Sequence, residues 1–492
     1  MTSLTGNEAV YDAIVVGSGA GGCAAAYRLA SAGARVAIIE KGEELPRDGS
    51  TLDFRRVVSE GGFKSQEPWQ DGRGRMLVPE EYFNVGGKTK WYGAALLRFG
   101  RQEFEADVAH ECLGWPLAYE DLAPYYAEAE ALLDVRCFPV EPDLRRILDR
   151  LAAVAPAWRA EPLPMGLSAA IGKNRLEAAH FDGFASVANL KRDAETVFLD
   201  DIRRRPNVTM LTGSAVVDLV GSPEDGREVV GVRLADGRSL QGSHVLLAAG
   251  ALHSPRLLQR YLARTGQTTS QPGFNAVGRY LKLHLLTAVI AVSWSRKTDL
   301  LRKTAVLLNE ELPHSSVQPL GFDGELMSTL IPRFVPRFLA RQVGARAYGF
   351  FLQTEDGSHP ANRVVGADSA PPTLDYDGAR CQAADQEHAV LVRRFRWSLA
   401  RAGLVAFSQR VGLAGTAHVC GTLVAGDDPA HCVVDRNGQV HGIRGLHVVD
   451  ASVLPRSSRV NPSLTIYAWA LHVADRLLAA IPQRGASKPG DP

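Results

Sequence analysis

The stretch from Tyr11 to Gly42, YDAIVVGSGAGGCAAAYRLASAGARVAIIEKG, narrows the choice of fold more than any other part of the chain. Ile14 to Val16 and Val36 to Ile39 are short apolar runs of the kind buried on both faces of a parallel sheet, and an Ala-rich helical segment separates them. Gly17, Gly19 and Gly22 have the GxGxxG spacing. The first permits a tight turn, the second lets backbone approach a pyrophosphate, and the third lets the helix pack closely on the strand. Ser18 and Ala20 lie within that cradle, where the helix offers its free amides and the positive end of its dipole to an anion. Glu40 closes the second strand, with Lys41 beside it, where a carboxylate can accept hydrogen bonds from ribose hydroxyls and repel a 2′-phosphate. A Gly-rich turn without a cofactor is the bland alternative. Strand, helix and acid together favour dinucleotide binding in a doubly wound α/β domain.

A length of 492 residues exceeds one ordinary domain and predicts two or three substructures around one cofactor. The net charge of +1 leaves no basic or acidic excess to direct the chain to nucleic acid or a lipid surface. The opening MTSLTGNEAV has no basic start followed by an apolar run, and no stretch reaches the roughly twenty apolar residues of a membrane span. The expectation is a cytoplasmic protein with no nucleic-acid partner and no membrane span. Cys23, Cys112, Cys137, Cys381, Cys420 and Cys432 form no CxxC pair and are read as reduced thiols, mostly core fillers, with no metal site.

From about Leu45 to Arg75 clear periodicity is lost, which predicts a surface excursion. In the following segment, Asn84 to Ala95, Gly86, Gly87 and Gly93 let backbone lie flat against a planar ligand. Tyr119 to Leu133 reads as an amphipathic helix entered near Pro124 or a turn earlier. Asn207 to Leu211, Ala215 to Val220 and Val229 to Leu234 read as strands. His244 to Leu258 reads as a strand, a small-residue turn at Gly250 and a helix with Pro255 in its first turn, giving a second place where backbone can approach a cofactor. From Leu285 to Phe407 alternating runs such as Leu285 to Val292 and Arg346 to Thr354 predict antiparallel strands of a second, substrate-facing domain. Between Leu330 and Ala340, Phe334, Val335, Phe338 and Leu339 stand opposite Arg333, Arg337 and Arg341, which reads as a lid or a packed surface segment, with a membrane-touching face as the alternative. The tail after Ile481 reads as disordered.

The most specific pattern lies between His418 and Leu478. Leu446 to Val449 reads as a strand ending at Asp450, followed by a turn through Ala451 and a helix over Thr465 to Leu478 that Pro462 introduces. The start of that helix and Asp450 are placed to meet the polar edge of a cofactor.

These motifs together resemble the glucose-methanol-choline (GMC) oxidoreductase family over nearly the whole length: the first Gly motif, VGGKTKWYGA, LLAAGALHSPRLL, VGRYLKLH, and HVCGT through NPSLTIYAWA. The resemblance implies FAD bound by a Rossmann-like domain and capped by a largely antiparallel sheet that carries the substrate pocket. On that basis residues 1–60, 185–284 and 412–484 are assigned to the FAD domain and 61–110 to a flavin-covering loop region. Residues 111–184 and 285–411 are assigned to the substrate cap, and 485–492 to a tail. Cofactor contacts are expected from Gly17, Ser18, Gly19, Ala20, Gly22, Glu40 and Lys41, then from Gly86, Gly87, Thr89, Tyr92, Gly93 and Ala94. Val216, Ala249, Gly250, Asp450, Ala451, Pro462 and Thr465 complete the set. The family's catalytic pair maps onto His418 and Asn461.

In the implied reaction an alcohol becomes a carbonyl by hydride transfer to flavin N5. His418 removes the hydroxyl proton, because an imidazole titrates near neutral pH, and Asn461 holds the substrate oxygen. Where some members carry a flavin-linked histidine this chain has Trp91, so non-covalent FAD is expected, and where an Asn is common it has Tyr92. His284, which closes VGRYLKLH, is assigned a structural role. The substrate is expected to be a sugar-like alcohol, with an aminoglycoside precursor as the specific candidate and Glu355, Asp356 and Asp375 offered as partners for its charge. The electron acceptor is oxygen or another carrier. A lyase or decarboxylase on the same scaffold, or a flavin-binding redox partner without turnover, are the alternative functions.

Overall fold

The opening unit forms because its apolar runs have no polar face to show to water. β1 (Tyr11–Val16) and β2 (Val36–Ile39) pair in parallel, Ala13 opposite Val36 through Val16 opposite Ile39. Between them α1 (Ala20–Ser31) buries Cys23, Ala24, Ala25 and Ala26 completely. These small side chains let it lie close against the helix Ser463–Ala480, whose Trp469 is itself fully buried and donates from Nε1 to the Val448 carbonyl at 3.0 Å. The structure, a computed structural model, describes residues 10–224, 226–267, 272–329, 335–366, 371–415 and 417–480. The tail after Ile481 lies outside the described residues.

The first sheet runs in the order Val208–Leu211, β2, β1, Ser239–Leu247, Val229–Leu234, Val216–Gly221, with Leu446–Val448 also paired to Ser239–Leu247. Ser239–Leu247 changes its pairing along its length. Its first residues form an antiparallel ladder with Gly231, Val232 and Arg233, whereas Val245, Leu246 and Leu247 pair in parallel with both β1 and Leu446–Val448. The parallel part is therefore assembled from both ends and the middle of the chain. The strands expected at Asn207–Leu211, Ala215–Val220 and Val229–Leu234 all occur, within a residue at each boundary.

The second sheet has six antiparallel strands in the order Val405–Arg410, Leu285–Val292, Ala347–Thr354, Ser315–Pro319, Ala305–Leu308, Arg159–Pro162. Leu285–Val292 alternates buried and half-buried side chains, the period of two that its sequence predicts. The helix Gln382–Arg401 covers one face through Leu391, Phe395 and Leu399, which join Val289, Phe350 and Leu352 in a separate core.

One expectation needs correction. The stretch read as a surface excursion contributes the strands Trp69–Asp71 and Met76–Leu77 to a small third sheet with Arg363–Val365 and Thr373–Asp375. Trp69 is 1% exposed, and besides its local partner Met76–Leu77 its strand pairs in parallel with Thr373–Asp375, Gln70 opposite Thr373 across 303 residues, too distant for local periodicity to reveal. The helix Tyr119–Leu132 starts about a turn before Pro124, as its sequence predicts, and carries that proline in the second turn. Of the proposed lipid-touching face, Phe338 and Leu339 are exposed on the helix Arg337–Gly344, whereas Arg333 and Phe334 lie outside the described residues. Among the described residues no helix is long and apolar enough to cross a membrane.

Candidate active site

One cavity of about 750 Å³ runs from the carboxyl ends of β1 and β2 to the inner face of the six-stranded sheet. At its dinucleotide end Gly17 has φ +105°, and a Cβ there would lie 2.4 Å from the Ala248 carbonyl oxygen, so both backbone angle and space require glycine. A Cβ on Gly19 would meet no protein atom, because that side faces the cavity. Gly22 does not line it. A Cβ there would sit 2.0 Å from the Gly17 carbonyl oxygen, so this glycine serves helix–strand packing. Gly21, which the motif spacing does not single out, is equally constrained, since a Cβ would lie 1.8 Å from the Val449 carbonyl oxygen.

Ser18, Ala20, Glu40, Lys41, Val216, Ala249 and Gly250 also line this end. Glu40 Oε2 accepts from the Ser18 amide (2.9 Å) and hydroxyl (2.7 Å), and Oε1 from the Gly42 amide (2.9 Å). Burial raises the Glu40 pKa from the ordinary carboxylate value, while these donors oppose the rise. Asp450 is similarly engaged. Its Oδ2 accepts from the Gly250 amide at 2.8 Å and the Ser254 hydroxyl at 2.5 Å, and its Oδ1 from the Ser452 amide and hydroxyl. Rather than presenting an open carboxylate, Asp450 ties the two cavity-lining turns together.

In the middle, Gly87, Thr89, Tyr92 and Gly93 line the cavity, while Gly86 and Ala94 stand behind them. Gly86 and Ala94 have φ +83° and +54°, and the Gly86 amide donates to Ser18 Oγ at 3.2 Å. Their contribution is the shape of the loop. Gly93 makes room for a pair no sequence motif announces. A Cβ there would stand 2.2 Å from Lys303 Nζ and 2.4 Å from Asp182 Oδ1, and these two side chains form an ion pair at 3.2 Å on the cavity wall. Trp91 stacks on Tyr82 (4.9 Å, 20°) and donates from Nε1 to Asn84 Oδ1 at 2.9 Å. The Tyr92 hydroxyl donates to the Arg192 carbonyl.

Further along the same cavity His418 and Asn461 come together across 43 residues of sequence, with Asn461 Nδ2 3.4 Å from His418 Nε2. Both line the cavity, as do Ala451 and Pro462. Thr465 does not. It is fully buried and shares a 2.8 Å hydrogen bond with the Tyr126 hydroxyl one turn into the helix. His284 Nδ1 lies 2.7 Å from His418 Nδ1, and its Nε2 is 3.0 and 2.7 Å from the Ser457 and Ser458 carbonyls. Gln318 Nε2 donates to Asn461 Oδ1 at 2.7 Å. Burial, then repulsion from His284 when it is protonated and from the Lys303 and Lys88 ammonium groups, holds His418 well below the usual histidine value, so its imidazole is neutral at pH 7.

The acids expected to greet a cationic substrate do otherwise. Glu355 is fully buried under Arg456, which donates from Nε to Oε1 at 2.8 Å and from Nη2 to Oε2 at 2.6 Å. Asp356, also fully buried, accepts from the Leu283 amide and the Tyr376 hydroxyl, and Asp375 pairs with Arg380. None of the three lines the cavity. Their sequence neighbourhood resembles an exposed loop, and for Glu355 and Asp356 the partners Arg456 and Leu283 lie 101 and 73 residues away.

The cavity also passes an independent test of fit for a dinucleotide. α1 begins at Gly19 with no side-chain cap and no acid in its first turn among the described residues, which leaves its amides for an anion. A Cβ on Gly250, like one on Gly19, would meet no protein atom and would occupy the cavity. His253 lines the same end, and its Nε2 is buried without a protein partner.

A family model described as FAD dependent oxidoreductase matches residues 12–288, and one described as GMC oxidoreductase matches residues 379–470. The chain belongs to the FAD dependent oxidoreductases, and its C-terminal region is that of a GMC oxidoreductase. It is 28% identical to the 6'''-hydroxyparomomycin C oxidase of Streptomyces lividus, over 95% of this chain and 91% of that protein. It is also 28% identical to the paromamine 6'-oxidase of Streptomyces fradiae, with the same coverage. Among solved structures it resembles pyridoxine 4-oxidase from Mesorbium loti, with a TM-score of 0.66, 18% identity, and coverage of 95% of this chain and 99% of that one.

Proposed function

We propose that this protein oxidises a hydroxyl of a sugar-like alcohol to a carbonyl using non-covalently held FAD, and that an aminoglycoside or its precursor is the substrate. The observation that carries the reading is the meeting of His418 and Asn461 in the cavity that Gly19 and Gly250 enter from its other end. The similarity to two aminoglycoside oxidases supports the substrate class. We divide the chain into an FAD domain (1–60, 185–284 and 412–484), a covering loop region (61–110) and a cap (111–184 and 285–411), and we expect a cytoplasmic location.

In this reading the amides at Gly19 and Ala20 hold the pyrophosphate, Glu40 faces the ribose, and the Gly86–Ala94 and Gly250 turns shape the flavin's bed. FAD, when bound, supplies the hydride acceptor. His418 Nε2 takes the hydroxyl proton, which makes the adjacent carbon a hydride donor. Asn461 Nδ2 donates to the oxygen as its negative charge develops. The cap sheet contributes Leu286, Phe351 and Gln353 to the same space.

The test is anaerobic mixing of the yellow protein with neutral sugars, amino sugars and simple alcohols, followed by air. Bleaching by amino sugars with an intact hydroxymethyl group is expected, and the rate of colour return separates oxygen from another acceptor. A flavin that none of these alcohols bleaches would sink the proposal.

A further inference from the structure

We propose that His284 and Gln318 are positioning residues that fix the hydrogen-bond polarity of the catalytic pair. His284 sets the tautomer of His418, and Gln318 sets the rotation of the Asn461 amide. The inference rests on the reading of His418 as the base.

The polarity starts from two groups that can only accept. The carbonyl oxygens of Ser457 and Ser458 lie 3.0 and 2.7 Å from His284 Nε2, so that nitrogen carries hydrogen. A neutral His284 then has only a lone pair at Nδ1. The 2.7 Å contact with His418 Nδ1 must be a hydrogen bond donated by His418, which leaves the His418 Nε2 lone pair free. That nitrogen faces Asn461 Nδ2. From the other side Gln318, 3% exposed in the second sheet, donates its amide to Asn461 Oδ1 and keeps the Asn461 NH2 group turned toward the imidazole.

Each choice matters chemically. With hydrogen on His418 Nε2 the base would offer a donor to the hydroxyl and could not accept its proton. With Asn461 flipped, a carbonyl dipole would face the developing oxyanion. The anchor is itself held: Ser458 has φ +66°, its amide donates to Glu355 Oε1 at 3.0 Å and its hydroxyl to Glu103 Oε1 at 2.6 Å. When the substrate O–H bond breaks and an N–H bond forms at His418 Nε2, the positive charge spreads toward His284, whose Nε2–H already faces two carbonyl dipoles. His284 is buried, and that burial disfavours its charged form in the resting state.

Neutron diffraction of the FAD-loaded protein at neutral pH should find deuterium on His284 Nε2 and His418 Nδ1 and none on His418 Nε2. Deuterium on His418 Nε2 would overturn the proposal. In stopped-flow reduction, His284→Ala should slow the reductive step about 10- to 100-fold with KM changed less than about threefold, and His284→Asn, whose Oδ1 can stand in for Nδ1, should restore at least part of it. Gln318→Glu, an acceptor only, should be slower than Gln318→Leu, because it draws the Asn461 NH2 group away from the site. Equal rates for those two, or parental rates in His284→Ala beside an inactive His418→Ala, would refute the positioning role. A His418→Ala protein that reduces its flavin at the parental rate would instead refute the base assignment itself.

Discussion

Arg456 grips Glu355 with both ends of its guanidinium, Nε to Oε1 at 2.8 Å and Nη2 to Oε2 at 2.6 Å, with 2% and 0% of the two side chains exposed. Its Nη1 also donates to the Gln102 and Glu105 carbonyls, so one arginine joins the loop before the helix Tyr119–Leu132, the cap sheet and the turn at Ser458. The pair sits directly behind the carbonyls that hold His284.

Removing one partner should therefore cost far more than a surface ion pair would. Arg456→Met leaves a buried carboxylate without its countercharge and is expected to lower stability by about 3–5 kcal/mol in urea denaturation. Arg456 and His314 hold the Glu355 pKa below the ordinary carboxylate range, so its stabilising contribution is complete above the unfolded value of about 4.3 and is lost as pH falls through the lower folded value. Urea midpoints for Arg456→Met within experimental error of the parent at pH 7 would contradict this.

Gly17 and Gly19 should fail differently. Gly17→Ala forces a Cβ into the Ala248 carbonyl at a left-handed backbone angle, so loss of folded protein is expected. Gly19→Val places its methyl groups in open cavity, so the protein should keep its far-UV circular dichroism but purify with little or no flavin absorbance.

The pH dependence of the reductive step follows from the depressed pKa of His418. The neutral base is present above the folded pKa, so the rate should stay level through the usual histidine value near 6.5 and decline only at lower pH. A midpoint at or above 6.5 in stopped-flow reduction would show that burial and the nearby lysines do not act as described.

Trp91 lines the cavity, and an indole packed on Tyr82 and hydrogen-bonded to Asn84 offers no nucleophile for a covalent bond. Acid precipitation of the protein should leave all the yellow colour in the supernatant. Flavin retained by the pellet after washing would contradict that expectation.

Much of the architecture was legible because its determinants are local. Tyr11 to Gly42 contains its own strands, turn and helix, and the alternation of Leu285 to Val292 declares a strand with one buried face. The partners of the proposed catalytic pair were not legible. Gln318 and Asn461 are 143 residues apart, and a glutamine in a strand has no motif. His284 looked structural because its segment says nothing of what lies opposite. Glu355 was misread for the same reason, since loop acids are usually solvated and the arginine that buries this one is 101 residues away. Gly93 was legible as a position of close approach, but the Lys303–Asp182 pair that approaches it was not.

The strand Ser239–Leu247 receives β1 along one edge and Leu446–Val448 along the other. Synthesis runs from the amino end, so the glycine cradle is made early and stays one-sided until Asp450 and Asn461 have left the ribosome. Completion of the proposed cofactor site is thereby a late event in biogenesis, because Leu446–Val448, Asp450 and the helix Ser463–Ala480 that packs on α1 are all made last.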